Sequence, residues 1–365
     1  MRILVAHRGY GAVAAGAEQM ATRTAAALAV RGHEVCLLIQ SNRERLGPAP
    51  DGVACTFAAE ADGLAEAGAE WEPEVVHLVD AVDASFGEVA ARLARDCGSL
   101  LGVTPASTPS FWEDRNAGVE LCNSADVLFC LTRAELEVLR SIGVAAADPW
   151  FLPQAPALGG VGDRTRFQAR HGLGSQLVLF LGRKIRSKGY QELLAASAEV
   201  WRELPDVSFV FAGSAWDGDC ATVFERHRDR RILDLGRVSD EEKEDALAAC
   251  DVLCLPTSED VSPLVFAEAW SYGKPVISGV FPGVEEIVHH DRDGLVVLPC
   301  PAEIAAAITT LLRDPQKCHQ LGAHGRARAA EEMSWDAVAA RVEAAYGNLL
   351  PLGRRPQSEP DRGLA

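Results

Sequence analysis

Short apolar runs, many of them β-branched, alternate with alanine-rich stretches along almost the whole chain. That alternation predicts repeated β-α units and a parallel sheet rather than a helical bundle or a β-sandwich. In the first half, residues 2–6, 34–39, Val75–Val79, Leu100–Thr104 and 127–131 read as strands. Residues 17–31 (closed by Gly32), 86–96 and 135–142 read as helices. The pattern restarts at Leu177–Leu181, followed by a helix over Tyr190–Glu203 and a strand over 207–212. Strands at 232–235, Val252–Leu255, 275–278 and 295–297 come next, with helices between them. Three helices are expected at 301–312, 315–332 and 335–349. The stretch 154–162, rich in Pro, Gly and Ala, reads as a linker between the halves. A chain of 365 residues is too long for one average domain and fits two. The fold class expected is α/β: two Rossmann-like, doubly wound domains facing each other across a cleft. The tail from Pro351, rich in Arg, Pro and Ser, has the composition of a disordered segment.

Composition narrows the partners. The formal charge is −17, from 52 acidic against 35 basic side chains, which opposes non-specific binding to nucleic acid or an anionic membrane. No apolar run is long enough to span a bilayer, and the N-terminus runs into a strand without a signal-peptide pattern. The 10 cysteines are scattered and form no Cys-x-x-Cys, as expected for buried thiols in a reducing cytoplasm. Small-molecule donor and acceptor substrates in a cytoplasmic protein are therefore expected, with no nucleic acid partner and no stable membrane insertion.

Two segments carry chemistry. The first, Leu181-Gly182-Arg183-Lys-Ile-Arg-Ser-Lys188-Gly189, puts cations on the loop after an apolar strand. The second runs from Pro256 to Ser278 and holds Asp260, a helix start at Ser262-Pro263-Leu264-Val265, and Glu268 inside that helix. Pro263 suits a first helical position because its missing N–H would be unpaired there anyway, which makes Ser262 the expected N-cap. Cations and helix N-terminal amides suit a diphosphate, and carboxylates suit paired hydroxyls. A nucleotide sugar carries both. In open parallel sheets ligands bind outside the carboxyl ends of the strands, where both segments lie. Gly16 would open the first helix and let backbone approach a ligand.

Other patterns have plainer readings. Residues 9–14 formally match a dinucleotide fingerprint, but strand two ends in Gln40-Ser-Asn-Arg and lacks the acid such a site needs. Asp217-Gly-Asp219 is ordinary turn chemistry, and His289-His290-Asp291 reads as an exposed helix end. No metal site and no cofactor are expected. Phe111-Trp112 either stacks on an acceptor ring or packs inward.

In this order and spacing the motifs resemble a retaining glycosyltransferase of family 4, with the GT-B fold, over nearly the whole length. The matching segments are Ala15-Gly16-Ala17-Glu18, Arg31-Gly32-His33-Glu34-Val35, Gly182-Arg183 with Lys188-Gly189, and Asp260 through Glu268. They continue with Gly273-x-Pro275-Val276, Gly283-x-x-Glu286-Ile287-Val288, Gly294-Leu295-Val296 and Ser334-Trp335. The resemblance implies that Arg183 and Lys188 bind the donor diphosphate and Glu268 the nucleotide ribose. It places Asp260 and the amides after it at the donor sugar. It also implies transfer with retention, without a metal, from a nucleoside-diphosphate sugar, with UDP the expected nucleotide. The implied division is 1–155 for the acceptor, 156–334 for the donor, and a helix at 335–350 crossing back to the first domain. Three positions depart from the family pattern: Asp260 stands for Glu, Thr104-Pro-Ala106-Ser107 lacks a histidine, and Pro282-Gly283 replaces Gly-Gly. A sugar-nucleotide epimerase of similar fold and a non-catalytic nucleotide-sugar-binding subunit are the alternative readings.

Overall fold

The computed structural model describes residues 1–9, 16–40, 49–145 and 148–350. The 9–14 fingerprint, Ala15, most of the 42–50 loop and the tail from Pro351 thus lie wholly or mainly outside the described residues. A first sheet contains β1 (Arg2–His7), β2 (Glu34–Gln40), β3 (Val53–Ala58), β4 (Val75–Val79), β5 (Leu100–Thr104), β6 (Val127–Cys130) and β7 (Trp150–Phe151). A second contains β8 (Leu177–Leu181), β9 (Ser208–Ala212), β10 (Ile232–Gly236), β11 (Val252–Leu255), β12 (Val276–Ser278) and β13 (Gly294–Val296). Every pairing is parallel.

The strand orders are 3-2-1-4-5-6-7 and 10-9-8-11-12-13. Each sheet therefore reverses direction once, between β1 and β4 in the first and between β8 and β11 in the second. At such a switch point the connections diverge to opposite faces and leave a crevice at the carboxyl ends. The two central pairs explain themselves by burial. β4, β8 and β11 are buried along their whole length, because helices cover both faces.

Strands apolar from end to end match the sequence reading closely; β4, β5, β8 and β11 begin and end where expected. β3 was not expected, nor were the helices Ala61–Ala69 and Arg115–Ser124. Most of β3 is only half-buried, so its sequence carries little apolar signal. The last helix, Trp335–Gly347, packs on the first domain: Val338, Val342 and Tyr346 share a core with Ile3 and Val5. Tyr346 Oη lies 2.7 Å from His77 Nδ1, and His77 Nε2 lies 3.0 Å from Thr104 Oγ1. No helix among the described residues is long and apolar enough to cross a membrane.

Candidate functional site

The crevice of the second domain starts at the end of β8. Its backbone leaves the sheet at Gly182, and the next residues form a 3-10 turn over Arg186–Lys188. Gly189 follows with φ +75°, and a Cβ there would collide with the Pro256 carbonyl, so only glycine serves. The Ser187 carbonyl accepts from Ser258 N at 2.8 Å and Thr257 Oγ1 at 2.9 Å, which ties the β8 loop to the β11 loop. That tie brings two of the sequence-predicted residues into contact: Lys188 Nζ is ion-paired with Asp260 Oδ2. Both side chains are largely buried, 16% and 12% exposed, so each neutralises a charge the crevice would otherwise hold alone. Asp260 Oδ1 also accepts from Val261 N at 2.9 Å.

Arg183 lies over the ring of Trp216, with its guanidinium carbon 4.9 Å from the ring centroid. Trp216 is 60% exposed and follows β9. Burial raises the Asp80 carboxyl above its ordinary value, and neighbouring His7, the hydrogen bonds from Ser107 and Val82 and, last, the Arg183 guanidinium oppose that rise. His7 ends β1 and Asp80 follows β4, so they mark the switch point of the first sheet. Asp80 sits at φ 80°, an uncommon conformation for a side-chain-bearing residue. Its Oδ1 accepts from Ser107 Oγ at 2.9 Å and Val82 N at 3.2 Å.

The helix of the second segment runs over Leu264–Ser271, with Pro263 as its N-cap and no side-chain cap. This corrects the expected start by one residue: Ser262 is not the cap. Instead its carbonyl accepts from Gln154 Nε2 of the linker at 3.0 Å. The amides of Leu264 and Val265 open that helix, as expected. Glu268 is 1% exposed. Its Oε1 lies 2.9 Å from Lys243 Nζ. Burial raises the carboxyl above its usual range and Lys243 works against that rise.

The acceptor-side expectations fare unevenly. Trp112 is not a platform: it is 6% exposed, packs against Gly118 and donates from Nε1 to Ser107 Oγ at 3.2 Å. The physical reason is room, since glycine at 118 leaves space beneath the indole that water would not fill favourably. Phe111 is half-buried beside it. The same loop meets the second domain, where Glu259 Oε1 accepts from Thr108 Oγ1 at 3.1 Å and from Ser110 Oγ. Gly16 is the exposed first residue of its helix, with open space around it. Asp217-Gly-Asp219 forms a turn closed by Cys220 N to Asp217 O at 3.1 Å. Among the described residues no group of His, Cys, Asp and Glu is arranged to hold a metal ion.

Lys243, Trp216, Asp80 and Glu259 were missed from sequence. Lys243 hides in the run Asp240-Glu-Glu-Lys-Glu-Asp245, which reads as a solvated helix face. Trp216 was the one with a usable signal: a large aromatic on a Gly-rich loop directly after a strand.

Residues 162–328 match the family described as glycosyl transferases group 1. The MMP alpha-(1->4)-mannosyltransferase of Mycolicibacterium hassiacum is 34% identical over 279 residues, covering 73% of this chain and 57% of that protein. Spore coat protein SA of Bacillus subtilis is 28% identical over 200 residues, covering 51% of this chain and 53% of that protein. The chain thus spans about half the length of the curated relatives it matches. The crystal structure of Anabaena HepE in complex with UDP and glucose aligns with a TM-score of 0.80 at 18% identity, covering 95% of this chain and 100% of that one. At that identity the likeness concerns the fold, which is GT-B.

Proposed function

We propose that this chain, which belongs through its second domain to the group 1 glycosyl transferases, moves a hexose-type sugar from a nucleoside-diphosphate sugar to an acceptor hydroxyl, with retention and without a metal. The observation that carries the reading is the Lys188–Asp260 pair, held beside Arg183 and a helix start at the switch point of the second sheet. Arg183 and Lys188 receive the diphosphate, Asp260 the sugar and Glu268 the ribose hydroxyls.

In the reaction the bond between the anomeric carbon and the phosphate oxygen breaks on the face where the acceptor oxygen bonds. The acceptor's proton passes to the departing phosphate oxygen. Charge gathers on the diphosphate in the transition state, where two fixed cations stabilise it more than in the ground state. In the free protein Lys188 is spent on Asp260, so donor binding must divide its three N–H donors between the carboxylate and phosphate. Asp260, one methylene shorter than glutamate, still reaches Lys188. UDP is the proposed nucleotide, supported by the UDP held in the HepE structure.

The test is a panel of UDP-, GDP- and ADP-sugars with and without candidate acceptors. Acceptor-dependent release of the nucleoside diphosphate supports transfer. A new sugar isomer without acceptor would indicate epimerisation, and binding without turnover a partner subunit. Lys188→Ala should cut turnover by more than about tenfold, in line with the loss of one preorganised charge. Glu268→Ala should weaken nucleotide binding. Unchanged kinetics in both variants would defeat the assignment.

A further inference from the structure

Glu268 is the only charged residue of its helix, whose sequence is Leu-Val-Phe-Ala-Glu-Ala-Trp-Ser. A carboxyl so deeply buried takes up a proton unless a cation stands against it. That cation is Lys243. Its Nζ lies 2.9 Å from Glu268 Oε1 and 2.8 Å from the Ala157 carbonyl in the interdomain linker. Asp240 is 3.7 Å away on the same helix as Lys243. Two of the ammonium's three donors thus go to a carboxylate and the linker, and a second carboxylate stands beyond hydrogen-bond distance.

We propose that Lys243 is a positioning residue for the donor: it holds the Glu268 carboxylate in its ionised, hydroxyl-accepting form and fixes it to the linker. This rests on the reading of Glu268 as the ribose acid. The groups facing Glu268 are Lys243 and Asp240 from helix Asp240–Ala249 and the Ala157 backbone from the linker. Arg328, from helix Pro315–Glu332, lies over Trp270, about 200° round the helix from Glu268. The neighbours of Lys243 are committed elsewhere. Glu244 accepts from Gly159 N and Gly160 N at 2.7 and 3.0 Å. Asp245 takes a bidentate pair from Arg166, both contacts at 2.6 Å, and Asp163 N at 2.7 Å. Lys243 and Glu244 therefore grip the linker and Asp245 the residue that follows it, and of the three Lys243 alone also reaches the ribose acid.

The consequence is a pH signature. With Lys243 paired to it at 2.9 Å the ionised form of Glu268 is favoured, and nucleotide affinity should vary little across the neutral range. Without it, only the Ala157 backbone hydrogen bond still opposes burial, and the protonated form of Glu268 gains as pH falls. The test measures UDP and GDP binding by calorimetry from about pH 6 to about pH 9, with donor KM and kcat alongside, in wild type, Lys243→Met, Lys243→Gln, Lys243→Arg and Glu268→Ala. Lys243→Met should bind nucleotide roughly tenfold or more weakly at the acid end and recover towards wild type at the alkaline end, with the change in KM rather than kcat. Lys243→Arg should restore the flat profile, and Lys243→Gln stands in if the methionine variant does not fold. A Met or Gln variant whose affinity runs parallel to wild type at every pH overturns the proposal while Glu268→Ala still weakens binding. If Glu268→Ala leaves nucleotide binding unchanged, the ribose assignment itself fails.

Discussion

Lys184 is next to Arg183 in the chain and its opposite in environment. Extended backbone throws successive side chains to opposite sides, so Arg183 reaches the crevice while Lys184 turns into the domain, 1% exposed. There its ammonium pairs with Asp234 and lies 5.5 Å from the Phe224 ring centroid. A buried charge pair adds little net stability, but breaking it strands one charge. Asp234→Ala should therefore destabilise the protein by about 3 kcal/mol, the low end of that range because Asp234 is 34% exposed. Lys184→Met, which keeps the stem and removes the charge, should cost far less. Chemical denaturation of the two variants checks the asymmetry; equal losses would contradict it. The same scale shows what a sequence can convey about a site. Arg183, Lys188, Asp260 and Glu268 stand out in the sequence because each belongs to a short motif with fixed spacing from a strand. Asp80 and Lys243 do not, because their meaning comes from partners 103 and 25 positions away (Arg183 and Glu268).

Among the elements, the helix Arg133–Ser141 shows how a cap can set a pH response. Its Thr132-x-x-Glu135 start is a capping-box sequence. Thr132 Oγ1 accepts from Glu135 N at 3.0 Å, while Glu135 Oε2 accepts from Leu131 N at 2.6 Å. Burial nevertheless dominates and pushes the Glu135 carboxyl up to about 7 from its ordinary 4.5. Folded protein then keeps a proton that the unfolded chain loses, so stability falls as pH rises from about 4.5 to about 7. Glu135→Gln keeps an acceptor for Leu131 and has no proton to lose. It should flatten this window, worth on the order of 3 kcal/mol for the full shift. Urea midpoints at about pH 5 and about pH 8 decide it: the decline should be smaller in the variant, and an equal decline would assign the pH dependence to other groups. Helix existence here was legible and its start was not. Apolar periodicity begins at Glu135, but the cap that fixes the first turn lies before it. For Leu264–Ser271 the error ran the other way: Pro263 has the φ of a first helical residue yet ψ 110°, so the turn begins one residue later.

For the molecule as a whole, two carboxylates of the second domain hold donors of the first. Glu259 binds the hydroxyls of Thr108 and Ser110 at the cleft. Glu286 accepts from Arg133 N and Ala134 N, both at 2.9 Å, and so caps the N-terminus of the helix Arg133–Ser141 across the domain boundary. Behind the cleft the last helix is fastened to the first domain by Arg31, which contacts Asp336 at 2.8 Å and Glu343 at 2.7 Å. Trp335 Nε1 donates to the Pro156 carbonyl of the linker at 2.9 Å. The back is thus pinned by packing and ion pairs, while the front bonds of Glu259 and Glu286 are exposed or part-buried and open to replacement by water. A hinge with that imbalance opens at the front first. Glu286→Ala removes two charge-assisted bonds and should shift the population towards an open cleft. The expected result is a larger radius of gyration in small-angle scattering and a several-fold fall in kcat. Affinity for the nucleoside diphosphate should stay within about twofold, because the residues proposed to hold it all lie in the second domain. Adding Ser110→Ala should deepen both effects, since the two contacts bridge the same gap from different loops. If neither variant alters the scattering profile or kcat, the front contacts do not govern closure, and the fastening would have to be sought in the linker that Lys243 and Glu244 grip.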